Sequence, residues 1–202
     1  MRVGIFGGTF DPIHLGHLIL AEQCREQCQL DEVWFVPALI PPHKQNHSIS
    51  TAATRCAMIE FAISGNPSFR LERLELERTG PSYTVTTLEK LHGDDPDREL
   101  FLLLGADSIH DLPTWREPKR ILELATIVAV NRGRETFDEQ AVHQHLTAQL
   151  GDIDPRISVV SMPGIDISAT DIRSRVQQGL SIRYQVSRAV EAYILEHSVY
   201  HQ

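Results

Sequence analysis

Uninterrupted apolar runs, separated by helical patterns, are the feature that most limits the fold of this chain. The clearest run is Leu100–Gly105 (LFLLLG). A strand with one solvated face would alternate apolar and polar residues, so a continuous run indicates a strand that is covered on both faces. Further short runs predict strands at Arg2–Phe6, Glu32–Pro37, Thr126–Val130 and Ile157–Val160. Phe69–Leu76 alternates apolar and charged residues and predicts a half-exposed strand.

The segments between these runs repeat apolar residues at helical spacing. They predict helices at 15–29, 51–64, 84–91, 138–150, 170–178 and 187–197. Strands that alternate with helices form parallel sheets, because a parallel pair needs a crossover connection. We therefore expect an α/β fold, namely a Rossmann-like, doubly wound, mainly parallel sheet with helices on both faces. We expect residues 1–202 to form a single domain, since this length suits one ordinary core.

The composition excludes several classes of protein. Apolar residues make up 42% and charged residues 23%, as in globular domains. With 19 basic and 27 acidic residues the formal charge is −8, which disfavours nonspecific nucleic-acid binding. The sequence lacks a membrane-spanning run and a recognisable signal peptide, so we expect a cytoplasmic protein. Cys24 and Cys28, two of three cysteines, are interpreted as thiols on one helix face rather than as half of a metal site.

Ligands of a doubly wound sheet bind beyond the carboxyl ends of the strands, near the point where the strand order reverses. In this sequence that rule selects the loops 7–17, 37–47, 105–116 and 131–135. Most of the unusual residues in the chain lie in these four loops.

The first of these loops has the composition of a phosphate-binding loop. Gly7 and Gly8 let the backbone approach a phosphate closely, and Thr9 adds a hydroxyl donor. The helix that follows directs free N–H groups and a favourable dipole at the loop. His14 and His17 lie three residues apart, so they share a helix face and can donate to phosphate oxygens. The loop matches neither the dinucleotide-binding nor the Walker sequence, and a zinc site would lack an evident third ligand.

Two further segments carry polar groups suited to a small ligand. Pro41-Pro42-His43-Lys44 is a stiff loop that presents a cation, although a solvated Lys44 remains the alternative. Gly80–Val85 precedes a predicted helix and can bring the hydroxyl groups of Ser82 and Thr84 near a small polar ligand.

The loops after the later strands add four candidates. Gly105 and Asp107 follow the most buried strand, which puts Asp107 at the carboxyl end of the sheet. Trp115 and Arg132 lie in the next two loops. Because Trp115 has polar neighbours in the sequence, stacking on a ligand and ordinary packing both remain open.

A last motif, Ile167-Ser168-Ala169-Thr170-Asp171-Ile172-Arg173, opens a helix. Ser168 or Thr170 suits the N-cap, and Arg173, one turn later, can bind a phosphate there with its forked donors. Capping alone explains the hydroxyl residues but not their pairing with the first loop.

These motifs resemble those of the nucleotidyltransferases with a His-x-Gly-His signature, which class I aminoacyl-tRNA synthetases share. Over nearly the whole chain the sequence is similar to the bacterial type of nicotinate-mononucleotide adenylyltransferase. Pro-Pro-His-Lys, Gly-Pro-Ser-Tyr-Thr, Gly-Ala-Asp and the Trp115 loop carry this closer resemblance. The chain departs from the family pattern at Ala169, where a second Ser is usual, and at Thr86, where Asp is frequent.

The resemblance implies that ATP and nicotinate mononucleotide give deamido-NAD and pyrophosphate, a step of NAD biosynthesis, with Mg²⁺ bound mainly through the ATP phosphates. It implies a C-terminal helical part, about 165–202, that completes the ATP site. The implied catalytic residues are His14, His17, Lys44 and Arg173. The implied ATP-binding residues are Gly7, Gly8, Thr9, Phe10, His14, His17, Gly105, Asp107, Ile167, Ser168, Thr170 and Arg173. The implied acceptor-binding residues are Lys44, Ser82, Tyr83, Thr84, Trp115 and Arg132.

Two alternatives remain at this stage. One is another small nucleotidyltransferase, such as phosphopantetheine adenylyltransferase. The other is a non-catalytic nucleotide-binding regulatory module, against which the intact His14, His17, Lys44 and Arg173 argue. The length disfavours a class I synthetase. The sequence leaves open the oligomeric state and the preference for nicotinate over nicotinamide mononucleotide.

Overall fold

Six parallel strands form a sheet in the computed structural model of the chain, which describes residues 1–39, 49–78, 80–132 and 138–201, with Arg132 described by its backbone alone. The strand order is β3-β2-β1-β4-β5-β6, and each neighbouring pair is parallel. The strands are β1 (Arg2–Gly8), β2 (Glu32–Pro37), β3 (Phe69–Leu71), β4 (Glu99–Gly105), β5 (Ala125–Arg132) and β6 (Ile157–Met162).

Helices connect the strands and cover both faces of the sheet. They are α1 (Leu15–Gln27), α2 (Ala52–Ile63), α3 (Thr84–Asp94), α4 (Ala106–Asp111), α5 (Pro118–Leu124), α6 (Glu139–Leu150), α7 (Ala169–Gln177) and α8 (Arg188–Glu196). The side chains that cap α2, α6, α7 and α8 by accepting a backbone N–H bond belong to Thr51, Asp138, Ser168 and Ser187. Such acceptors satisfy donors that a helix start leaves open.

The core lies in two layers because alternate residues of each buried strand face opposite sides. On β4, Phe101 and Leu103 pack with α1, α2, α7 and α8. Leu100, Leu102 and Leu104 pack on the other side with α3, α4, α5 and α6. The predicted α/β, doubly wound class is therefore confirmed. No helix in the described part of the chain is long and apolar enough to cross a membrane.

The strand order reverses between β1 and β4. The chain runs outward from β1 through β2 to β3, then returns to the other side of β1 and runs outward from β4 to β6. Gly7 and Gly8 end β1, and Gly105 ends β4. The crevice at such a switch point is where open α/β sheets bind ligands.

Three expectations about the elements were wrong in detail. The third strand stops at Leu71 rather than Leu76, because the backbone then turns: the Leu74 N–H donates to the Glu72 side chain and the Leu76 N–H to the Arg73 carbonyl. The predicted loop 105–116 contains α4 and a 3₁₀ turn at Leu112–Thr114, since Ile109 and Leu112 are buried in the core.

The third wrong expectation concerns the end of β5. Asn131 and Arg132, predicted to lie in a loop, continue the ladder and pair with Ser161 and Met162 of β6. The ladder therefore carries Arg132 to the carboxyl end of the sheet within a strand.

Candidate active site

A cavity of about 610 Å³ opens at the switch point between β1 and β4. Its walls come from the ends of β1 and β4, the start of α1, the segment before α3 and the turn after α4. The lining residues that the sequence singled out are Gly7, Gly8, Thr9, His17, Ser82, Tyr83, Thr84, Gly105, Asp107 and Trp115. The volume is that of a small-molecule site.

The two histidines of the first loop form one stacked unit at the start of α1. Their ring centroids are 3.6 Å apart and the planes are inclined by 23°. The backbone N–H of His14 donates to Nδ1 of His17 at 3.2 Å. Because Nδ1 accepts this bond, the neutral His17 ring carries its proton on Nε2 and can donate from there. Phe6 and Phe10 contact the His17 ring edge-on, with centroids 5.8 and 5.1 Å away, and hold its orientation.

Arg173 of α7 reaches the same loop across 162 positions of sequence. Its Nη1 donates to the Asp11 carbonyl at 2.7 Å and its Nη2 to Oγ1 of Thr170 at 3.2 Å. Ser168 accepts from the Asp171 N–H and caps α7. The guanidinium therefore lies beside the first loop at the start of a helix, in the arrangement that suits a phosphate.

Arg55, which is part of none of the sequence motifs, supports the backbone of the first loop. It is 1% exposed, and it donates to the Thr9 carbonyl at 2.9 Å and to the Ser50 carbonyl at 3.2 Å. Burial lowers the pKa of the Arg55 guanidinium, and the charge of Asp11 opposes this shift. A signal was present, since a charged residue on the apolar face of a predicted helix needs buried partners.

Glu75 supports the part of the cavity wall that Ser82, Tyr83 and Thr84 form at the start of α3. It is 8% exposed and accepts a 2.6 Å hydrogen bond from the Thr87 hydroxyl. Burial raises the pKa of Glu75, while hydrogen bonds from Thr87 and Ser82 oppose the rise. The Ser82 hydroxyl also accepts from the Leu39 N–H at 3.0 Å. Glu75 thus fixes the segment that leads into α3 and links it to the loop after β2.

Arg116, which is part of no motif that the sequence singled out, adds positive charge to the wall of the cavity. Its guanidinium carbon lies 4.7 Å from the centroid of the Tyr83 ring. Trp115, next to it, lines the cavity and also packs against the core. Stacking on a ligand and packing, which the sequence left open, are thus both available to Trp115.

Comparisons with known proteins agree with this geometry. The cytidylyltransferase-like family model matches residues 5–175. The chain is 48% identical over 200 residues to the probable nicotinate-nucleotide adenylyltransferase of Thermomicrobium roseum, covering 98% of this chain and 91% of the relative. It is 44% identical to a probable nicotinate-nucleotide adenylyltransferase of Thermus thermophilus, covering 99% of this chain and 100% of the relative.

The chain belongs to the nicotinate-nucleotide adenylyltransferase family. Its fold also matches a solved structure, the nicotinic acid mononucleotide adenylyltransferase of Plasmodium falciparum complexed with NaAD. The TM-score is 0.81 at 19% identity, covering 99% of this chain and 97% of the other.

The structure brings together most of the site residues proposed for this adenylyltransferase, and their roles stay predictions. Lys44 lies outside the described residues, as does the side chain of Arg132. Phe10 is 2% exposed as a whole residue, and its ring packs against Phe6 and His17. Ile167 packs against the core beneath the start of α7.

Alanine substitutions at the two glycines of the first loop should have different effects in this adenylyltransferase, one on the KM for ATP and the other on stability. A Cβ at Gly7 meets no described atom within 4 Å, and Gly7 lines the cavity. Gly7→Ala should fold normally but raise the KM for ATP about tenfold, because the methyl takes space that a phosphate would use. A Cβ at Gly8 would lie 2.9 Å from the Phe10 ring, so Gly8→Ala should lose about 1–3 kcal/mol of stability.

Urea unfolding and ATP titration of both variants check this prediction. If Gly7→Ala lost as much stability as Gly8→Ala, or kept a normal KM for ATP, the assignment of Gly7 to the phosphate-facing wall would be wrong.

Burial of Glu75 should make the free energy of unfolding of this enzyme depend on pH. Its pKa is raised in the folded state, so folding favours its protonated form. The contribution of Glu75 to the free energy of unfolding is therefore fully present at pH values below the pKa of Glu in the unfolded chain. It is lost as the pH rises through the pKa of Glu75 in the folded state. Since Gln mimics the protonated form, Glu75→Gln should gain stability relative to the wild type as the pH rises from about 4 to about 8.

Denaturant unfolding of the two proteins across that range measures the difference. The raised pKa of Glu75 would be contradicted if the difference in unfolding free energy stayed constant with pH, or if it moved in the wild type's favour as the pH rises.

Proposed function

We propose that this chain transfers the adenylyl group of ATP to nicotinate mononucleotide, forming deamido-NAD and releasing pyrophosphate, as a step of NAD biosynthesis. The observation that carries the proposal is the convergence of His14, His17 and Arg173 on one loop at the edge of a cavity. The family to which the chain belongs supports the same reaction.

The chemical step needs little from the protein beyond placement. A phosphate oxygen of nicotinate mononucleotide attacks the α-phosphorus of ATP, the bond from that phosphorus to the bridging oxygen breaks, and pyrophosphate leaves with the electron pair. The nucleophile is already anionic, so a general base is not required. Catalysis then rests on alignment of the two reactants and on stabilisation of charge in the transition state.

The histidine pair and Arg173 are the groups proposed to stabilise that charge. The N–H at Nε2 of His17, set by the bond that Nδ1 accepts, would donate to the reacting phosphate. His14 would hold the rest of the triphosphate on the same side, where the helix dipole of α1 favours an anion. Arg173 and Ser168 would bind the phosphates from the opposite side. Lys44, from the Pro-Pro-His-Lys segment, would contact the mononucleotide phosphate or the α-phosphate.

The acceptor is proposed to bind between α3 and the turn that holds Trp115. Thr84 is the first residue of α3, and its backbone N–H is among those that a helix start leaves open. These donors and the Arg116 charge favour a carboxylate, which nicotinate has and nicotinamide lacks. Trp115 would stack on the ring, with Tyr83 and Ser82 shaping the wall. Arg132 would meet a carboxylate or a phosphate from the end of β5.

Nucleotidyltransferases of this family commonly use a divalent metal ion, and we propose Mg²⁺ in this chain. The donors next to the first loop, namely imidazole, guanidinium and backbone N–H groups, suit phosphate oxygens rather than a hard cation. The ATP phosphates and water would therefore hold the ion. When bound, it would neutralise charge on the phosphates.

Contacts across the chain support two further parts of the proposal. Residues 1–202 would act as one nucleotidyltransferase domain in which about 165–202 completes the ATP site, since Arg173 binds the Asp11 carbonyl and the Gln185 carbonyl accepts from the Leu15 N–H. We also assign the protein to the cytoplasm, because its three cysteines are free thiols, as is usual in a reducing compartment.

Pyrophosphate release with a panel of acceptors tests the proposed function. ATP would be supplied with nicotinate mononucleotide, nicotinamide mononucleotide or phosphopantetheine in turn. We expect the highest kcat/KM with nicotinate mononucleotide. Pyrophosphate release with phosphopantetheine alone would identify the chain as a phosphopantetheine adenylyltransferase instead. ATP binding without pyrophosphate release for any acceptor would favour a regulatory module.

A further inference from the structure

The segment after α8 turns back towards the first loop and presents Tyr200 to it. The Tyr200 hydroxyl donates to Oδ1 of Asp11 at 2.5 Å, a contact between residues 189 positions apart. Ser198 and Tyr200 have φ angles of 51° and 72°, which are uncommon for residues that carry a side chain. The Val199 N–H donates to the Ile194 carbonyl, and Val199 and Tyr200 pack against the core. The surrounding contacts therefore hold this turn in an unfavoured backbone conformation.

Asp11 joins Tyr200 to the rest of the site. It is 4% exposed, and its Oδ2 accepts from the Ser50 N–H at 3.0 Å. Its carbonyl accepts the 2.7 Å bond from Arg173. One residue thus receives donors from the segment before α2, from α7 and from the segment after α8.

We propose that Tyr200 is a positioning residue for the ATP site, which it orders by holding Asp11 and, through Asp11, the first loop and Arg173. This inference rests on the proposed function. Tyr200 is not among the described residues that line the cavity, and its hydroxyl also lies 3.9 Å from Sδ of Met58 in the core. Its effect on the ATP site would therefore pass through Asp11. A buried carboxylate that loses one donor must find another or move, and the loop backbone would move with it.

The hydroxyl of Tyr200 is suited to act as a permanent donor. Burial raises its pKa above the usual range for tyrosine, and the Asp11 charge raises it further. The hydroxyl therefore keeps its proton near neutral pH and can donate it to Asp11.

Tyr200→Phe removes this hydroxyl and keeps the ring. We expect kcat/KM for ATP to fall about tenfold, the size of effect that one hydrogen bond to a charged group can produce. The KM for nicotinate mononucleotide should stay within about twofold, because the acceptor wall lies at α3. The matched control is Tyr193→Phe on α8, whose ring packs against Phe61, and it should keep both constants.

Three results would overturn the inference. They are a normal kcat/KM for ATP in folded Tyr200→Phe, an equal loss for both substrates that follows a lower melting temperature, and the same loss in Tyr193→Phe. If the wild type forms no deamido-NAD, the proposed function fails. If the wild type forms it and folded Tyr200→Phe matches the wild type, only the inference on Tyr200 fails.

A double-mutant cycle with Asp11→Ala, which removes the oxygen that accepts from Tyr200, separates action through Asp11 from a general loss of packing. If Tyr200 works through Asp11, the double variant should be about as active as Asp11→Ala alone. Losses that multiply in the double variant would show that the two residues act independently and would contradict the inference.

Discussion

His17→Ala is expected to lower kcat at least about 100-fold while the protein stays folded, which corresponds to ~3 kcal/mol in the barrier. The reason is that His17 supplies a donor whose direction is fixed before ATP binds. Its Nδ1 is occupied by the His14 N–H, and its ring is held by Phe6 and Phe10. A preorganised donor costs no rearrangement when charge develops on the reacting phosphate.

The control for this variant is His145→Ala on α6, which removes an imidazole that bonds to the His110 carbonyl away from the cavity. It should keep kcat within about twofold, as surface substitutions usually do. Single-turnover rates and melting temperatures would be measured for both. Near-normal turnover in His17→Ala would show that His17 does not stabilise the transition state.

Arg173→Ala is expected to lower kcat/KM for ATP about 100-fold, and Arg173→Lys about tenfold, because charged bidentate contacts are strong and geometry-dependent. The guanidinium bonds the Asp11 carbonyl and Thr170 at once, through two nitrogens in a fixed plane. A lysine ammonium keeps the charge but cannot make both bonds in that geometry while facing a phosphate. The lysine variant therefore separates the contribution of charge from that of shape.

Arg175→Lys is the matched control, since Arg175 lies two residues further along α7 and bonds the Ser181 carbonyl. It should leave kcat/KM for ATP within about twofold. The assignment of Arg173 to the ATP phosphates would be wrong if Arg173→Lys were as active as the wild type, or if Arg175→Lys were as impaired as Arg173→Lys.

The first loop was predictable because its chemistry is local. Glycines, a hydroxyl and two histidines at the start of a helix limit what the segment can bind, and the long apolar runs limit where the segment lies in the sheet. The parallel sheet then brings the carboxyl ends of β1 and β4 together without any knowledge of side-chain contacts.

The roles of the supporting residues were not predictable because they depend on packing between distant segments, although the charge of Arg55 on an apolar helix face shows that it needs buried partners. Arg55 and Tyr200 meet the first loop only after α2 and α8 pack side by side. Glu75 lies in a turn that was mistaken for strand, and its hydrogen bond to Thr87 depends on where α3 begins. Helix α4, at six residues, is too short to show a periodic pattern.

The fate of labelled phosphate oxygens tests the central claim most directly. Nicotinate mononucleotide carrying a heavy oxygen isotope in its phosphate would be incubated with unlabelled ATP and the wild-type protein, and the products identified by mass spectrometry. Direct attack on the α-phosphorus predicts deamido-NAD that retains every labelled oxygen, together with unlabelled pyrophosphate. The formation of AMP and a pyrophosphorylated mononucleotide, or of no deamido-NAD above the protein-free control, would contradict the account.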